Sequence, residues 1–247
     1  MALFDHVGWG ADPAEYFDIY VPPGTAPEGG WPLIMFVPGG GLASVAPAPP
    51  DLMPFILNQD HCMYVVVNYR TGIGAQPALD DVATVARLVY DHAGQWGANP
   101  ERIGWLGHSA GCYLLAEIAL DSRCDVPHPP YGMCLMAPAW LDHDPSFADI
   151  GIPQTTVWTE EAFGTPDTWA DLCPIEHLDG PHCRGVVVFG TNDDEIPHQR
   201  WTWNFLTRAH AAGHDFRGMM LPGRTHLIDP AQDGDAAQAV DWTMFGT

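Results

Sequence analysis

The stretch Arg102-Ile-Gly-Trp-Leu-Gly-His-Ser-Ala-Gly-Cys-Tyr-Leu-Leu-Ala-Glu-Ile-Ala-Leu120 decides how this chain folds. It opens as a short apolar run of strand length, Arg102–Leu106, and closes as a run long enough for a helix. Between them lies Gly107-His108-Ser109-Ala110-Gly111, a G-x-S-x-G pattern. Alone, so short a pattern arises by chance. With a strand before it and an amphipathic helix expected after it, it describes a sharp turn that holds a serine hydroxyl out at its tip. The two glycines let strand and helix approach closely, and the helix N-terminus favours negative charge developing nearby. Ser109 is therefore read as a nucleophile.

A serine hydroxyl attacks only when a base takes its proton, and the base must be held in one tautomer by an acid. With this turn, acid and base follow the serine along the chain, acid first. After an apolar run at Val186–Phe189 comes Gly190-Thr-Asn-Asp193-Asp194-Glu-Ile-Pro197, and after Arg217–Leu221 comes Pro222-Gly-Arg-Thr-His226-Leu227. Both loops follow strands, at the sheet end where open α/β folds place their sites. Asp193 and His226 are the expected acid and base, with Asp194 as the rival acid. Of the 12 histidines, only His226 combines chain order with a turn after a strand. His108 is expected to point away from the serine's pocket.

Earlier in the chain, Ile34-Met-Phe-Val-Pro-Gly-Gly-Gly-Leu-Ala-Ser44 ends a buried strand in three consecutive glycines. Bare backbone is costly to order, but attack on an acyl carbon explains it. The oxygen becomes an anion, and each preorganised N–H donor stabilises it by about 3–4 kcal/mol. Gly39, Gly40 and Ala110 are the expected donors. Leu42, Trp140, Leu141 and Leu227 lie on flanking loops and are the expected substrate-pocket residues.

Strand-like runs at Phe17–Val21, Leu33–Val37, Met63–Asn68 and Gly132–Met136 join those above. Helical spacing over Asp80–Trp96 and His198–Ala212 alternates with them. The pattern predicts one α/β domain over 1–247, with a mostly parallel sheet covered on both faces. Residues 137–184 break the rhythm, rich in Pro, Asp and Trp, and read as an irregular lid. Its tryptophans Trp140, Trp158 and Trp169 are either walls for an aromatic substrate or packing within the lid.

With 31 acidic residues against nine basic ones, all arginine, the net charge is −22. That field repels nucleic acid and anionic membrane surfaces, and no apolar run is long enough to span a membrane. Neither nucleic acid nor membrane is an expected partner; oligomeric state is left open. The six cysteines show no paired spacing, though a single Cys124–Cys173 bridge stays open. The stretch His177-Leu-Asp-Gly-Pro-His182-Cys183 matches no common zinc spacing, so no metal or cofactor is expected. The N-terminus has neither the basic start nor the apolar core of a leader. The cytoplasm is the expected compartment, with a mature secreted form left open.

The motifs together resemble the α/β-hydrolase fold, within it the acetyl-esterase, hormone-sensitive-lipase-like and arylformamidase (kynurenine formamidase) group. The stretches "GADPAEYFDIYVP", "NYR" at 68–70, "LDDVATVARLVYDHAGQWGANPERIGWLGHSAG", "GTNDDEIP" and "GRTH" carry the likeness across nearly the whole chain. The resemblance implies a cofactor-free serine hydrolase acting on a small ester, with Ser109, Asp193 and His226 as triad. One alternative is an arylformamidase cleaving an N-formyl amide with the same groups; the other is a ligand-binding member without activity. The chain departs from the group at Pro38, where the group carries histidine. Proline removes an N–H and restricts Val37 before it, so the glycine loop is expected to follow its own path.

Overall fold

A computed structural model describes residues 2–43, 60–124, 126–142, 160–193, 198–228, 230 and 233–245. Eight strands form one sheet: β1 Ala2–Gly8, β2 Tyr16–Val21, β3 Trp31–Val37, β4 Met63–Val67, β5 Ala98–His108, β6 Met133–Met136, β7 Arg184–Gly190 and β8 Asp215–Leu221. Their order is β1-β2-β4-β3-β5-β6-β7-β8. The pairs β1/β2 and β2/β4 are antiparallel, and every pairing from β4 onward to β8 is parallel. This is the sheet of the α/β-hydrolase fold.

Parallel strands covered on both faces read as continuous apolar runs, and β3 shows why. Leu33, Met35 and Val37 point into one buried cluster, while Ile34 and Phe36 point into another. The first cluster also takes residues of α1 Ala75–His92, α2 Ala110–Leu120 and α3 His198–Ala211. The second takes Ala236, Ala239 and Val240 of α4 Gly234–Phe245. Helices thus cover both faces.

Helix α1 starts at Ala75, five residues before the expected Asp80. Pro77 sits in its first turn, where a missing N–H costs nothing. Asp81, beside that expected start, has another use. Asp81 is buried and accepts from the Arg70 backbone N–H at 2.8 Å and from its Nη2 at 2.6 Å. Helix α2 corrects the expectation of amphipathicity, since all eleven of its residues are buried. A helix apolar on every side belongs inside. Strand β1 and helix α4 were not anticipated. All six cysteines are free, so no Cys124–Cys173 bridge forms. Among the described residues, no helix is long and apolar enough to cross a membrane.

Candidate active site

Four loops at the C-terminal ends of parallel strands converge: those after β3, β5, β7 and β8. At the turn after β5, Ser109 has φ 53° and ψ −120°, a conformation costly for a residue with a Cβ. The surrounding backbone imposes it. A Cβ on Gly107 would stand 2.9 Å from Cys112 Cα, and one on Gly111 would stand 2.0 Å from the Val37 carbonyl oxygen. Both glycines of the motif are therefore required by close approach. The Ser109 N–H donates to the Met136 carbonyl at 3.1 Å, and its own carbonyl accepts from Ala139 N at 3.1 Å. The elbow is pinned to the loop after β6.

Ser109 Oγ lies 2.8 Å from His226 Nε2, and His226 Nδ1 lies 3.1 Å from Asp193 Oδ2. Serine, imidazole and carboxylate thus form one hydrogen-bonded chain, with the Asp193 side chain fully enclosed. Asp194, the rival acid, lies outside the described residues. The loops bearing Asp193 and His226 are tied together. Asn192 N–H donates to the Arg224 carbonyl at 2.9 Å, and Gly223 N–H donates to Thr191 Oγ1 at 2.8 Å. A Cβ on Gly190 would stand 2.0 Å from the Arg224 carbonyl oxygen, so only glycine allows that approach. Arg224 Nε in turn donates to Asp233 Oδ2 at 2.6 Å, and Asp233 Oδ1 accepts from Ala236 N–H at the start of α4.

His108 was expected to face away from the serine's pocket. Instead it is buried, and its Nε2 donates to the His226 carbonyl at 3.2 Å. It holds the backbone at His226. Its place beside Ser109 was the available signal.

The three glycines have separate reasons. A Cβ on Gly39 would stand 2.7 Å from Ser109 Cβ, so the loop could not otherwise lie against Ser109. Gly40 and Gly41 have φ of 126° and 64°, the region that favours glycine. Ala110 is the first residue of α2, so its N–H has no partner within the helix. Buried Tyr69 donates its hydroxyl to the Pro38 carbonyl at 2.9 Å. Burial pushes the Tyr69 phenol up, which keeps it a donor. Tyr69 is a second positioning residue that the sequence reading did not single out; it lies in the "NYR" segment.

The expected pocket residues divide. Leu42 lines a cleft of about 380 Å³ with Gly41, Ala43, Gly72, Gly74 and Ala162. Leu227 is 60% exposed, next to His226. Trp140 and Leu141 are buried, and Trp140 packs edge-on against Phe163 and Tyr113, with ring centroids 5.4 and 6.5 Å away. Trp169 is buried as well and donates its indole N–H to the Gly164 carbonyl. Trp140 and Trp169 are packing, not walls of an open pocket. Trp158, with the rest of 143–159, lies outside the described residues.

Comparison with known proteins agrees with the geometry. A family model described as the alpha/beta hydrolase fold matches residues 34–228. An AB hydrolase superfamily protein of Schizosaccharomyces pombe is 34% identical over 105 residues, covering 41% of this chain and 30% of that protein. An acetylxylan esterase of Xylanibacter ruminicola is 35% identical over 95 residues, covering 38% of this chain and 20% of that protein. The chain thus spans less than a third of the length of the curated relatives it matches. Among solved structures, a truncated carbohydrate esterase from gut microbiota superposes with TM-score 0.78 at 15% identity, covering 98% of this chain and 95% of that one. The native Est2 esterase of Thermogutta terrifontis gives 0.71 at 19% identity, covering 92% and 85%. At such identities these two show a common fold.

Proposed function

The chain belongs to the alpha/beta hydrolase fold family, and from that premise we propose that it hydrolyses carboxylic esters with small acyl groups through a serine acyl-enzyme. The observation that carries the proposal is the continuous contact from Ser109 Oγ to His226 Nε2 to Asp193, at 2.8 and 3.1 Å. The acetylxylan esterase relative supports an ester substrate over an amide.

Ser109 Oγ attacks the acyl carbon while His226 Nε2 takes its proton. Asp193 accepts the Nδ1–H, which leaves Nε2 free to act as base and stabilises the imidazolium that forms. The carbonyl oxygen becomes an anion facing the N–H groups of Gly39, Gly40 and Ala110. Collapse breaks the acyl–oxygen bond, and His226 returns the proton to the departing alcohol. Water repeats the attack on the acyl-enzyme, the acid leaves, and Ser109 regains its proton. His108 and Tyr69 act through other residues, holding the base and the glycine loop in place.

The test is kcat/KM for p-nitrophenyl acetate, p-nitrophenyl butyrate and N-formylkynurenine, with Ser109→Ala as control. Ester turnover that is lost in Ser109→Ala supports the proposal. Faster cleavage of the formamide would replace it with the arylformamidase reading. Wild type equal to the control on all three would remove the enzymatic reading altogether.

A further inference from the structure

At the far end of α2 from Ser109, Glu117 is 1% exposed, and neither of its carboxylate oxygens has a hydrogen-bond partner among the described residues. A buried carboxylate without donors is costly and calls for a reason. The nearest cation, Arg123 Nη2, stops 3.8 Å from Glu117 Oε1, beyond hydrogen-bond reach. One helical turn on, buried Asp121 lies on the same side of the chain. A third group arrives from the lid. Ligand atoms of Glu117, Asp121 and His177 all lie within 4.8 Å of one another. His177 Nε2 donates to the Ala170 carbonyl at 2.9 Å. That bond fixes the tautomer and leaves the Nδ1 lone pair free, the arrangement found for metal-bound histidines. A cavity of about 450 Å³ opens beside Glu117 and Asp121.

We propose that Glu117, Asp121 and His177 bind a divalent first-row transition metal of the zinc type, which clamps the lid segment onto α2. One imidazole nitrogen with two carboxylates suits zinc; calcium prefers an all-oxygen shell. The ion draws the three ligand atoms inward and leaves a fourth position for water. Arg123 is half exposed and holds Asp121 at 2.6 Å, and it donates to the Asp171 carbonyl at 2.9 Å. It therefore competes with the ion for Asp121. The site is structural: Glu117 lies eight positions along from Ser109, about 12 Å at the helical rise.

The sequence pattern did not expose this cluster because its ligands are not consecutive. In the stretch His177–Cys183, His182 instead stacks on His214 with centroids 6.3 Å apart, and Cys183 N–H donates to His214 Nδ1. His177 brings a ring nitrogen close to the Glu117 and Asp121 carboxylates.

The test is calorimetric titration of the EDTA-treated full chain with zinc chloride, with melting temperature measured in parallel. Wild type is expected to take up one equivalent and to gain at least ~3 °C in Tm. Glu117→Gln and His177→Ala are expected to lose that gain. Because His177 is on the lid, His177→Ala keeps the test decisive if Glu117→Gln fails to fold. Zinc-free wild type should still turn over p-nitrophenyl acetate at the rate of the zinc-loaded chain. No Tm gain in wild type, an equal gain in His177→Ala, or an equal gain from calcium chloride would overturn the assignment.

Discussion

At Ser109, local strain and the proposed chemical role coincide. The φ of 53° is one that the backbone around it enforces, and the two flanking glycines exist so that it can. Ser109→Ala should lower turnover by at least ~10³-fold while leaving Tm within about 2 °C, since little packs against the hydroxyl at the tip. Asp193→Asn should cost roughly 10⁴-fold in kcat by disturbing the tautomer of His226. If Asp194→Asn did so instead, the acid would be the neighbouring residue. Gly111→Ala is expected to destabilise the whole fold, lowering Tm by about 5 °C or more, because its Cβ would meet the Val37 carbonyl oxygen at 2.0 Å. At this scale the sequence was informative. The convergence of Ser109, Asp193 and His226 was legible because each follows a strand in a fixed order. His108 and Tyr69 were not, because what each does depends on a backbone carbonyl distant in sequence, and no residue pattern encodes that.

Among the elements, two connections hold the loops of the site in register. Tyr69 ties the turn after β4 to the glycine loop after β3 through the Pro38 carbonyl. Tyr69→Phe should leave the melting curve almost unchanged but reduce kcat about tenfold, with KM moving less, as expected when a positioning contact of about 1 kcal/mol is lost. Asp233 joins the base loop to α4. Burial works to raise its carboxyl, but the N–H groups of Ala236 and Asp235 and the Arg224 guanidinium outweigh it and hold it below the usual carboxylate range. A depressed carboxyl contributes stability that is complete above its unfolded pKa and is lost as pH falls through the folded value. Asp233→Asn should therefore melt lower than wild type at pH 7, with the gap closing below about pH 4. A constant gap would contradict that linkage. Elements with strong periodicity or unbroken apolar runs were legible, among them β3, β5 and α3. Strand β1 was not, since it pairs only with β2 at the sheet edge, carries a register shift between Leu3 and Asp5, and exposes Phe4. Helix α4 was missed although Asp233 before it is a good cap. Its buried face, Ala236, Ala239 and Val240, is built from residues too small to stand out as a stripe.

For the whole molecule, 31 acidic against nine basic side chains set a self-repelling field that does not specify the fold. Several of the arginines are paired with carboxylates, as in Arg70–Asp81, Arg123–Asp121 and Arg224–Asp233. Raising sodium chloride from about 0.02 to 0.5 M shortens the screening length several-fold and should raise Tm by a few degrees. A fall in Tm would mean that those ion pairs outweigh the repulsion. Folding and chemistry meet at the convergence of four loops on one serine. The most direct measurement is therefore a rapid acid quench of the protein turning over p-nitrophenyl butyrate, followed by peptide mass spectrometry. A butyryl group on the peptide containing Ser109, absent in Ser109→Ala, is the predicted result; turnover with no acyl group on that serine would contradict it.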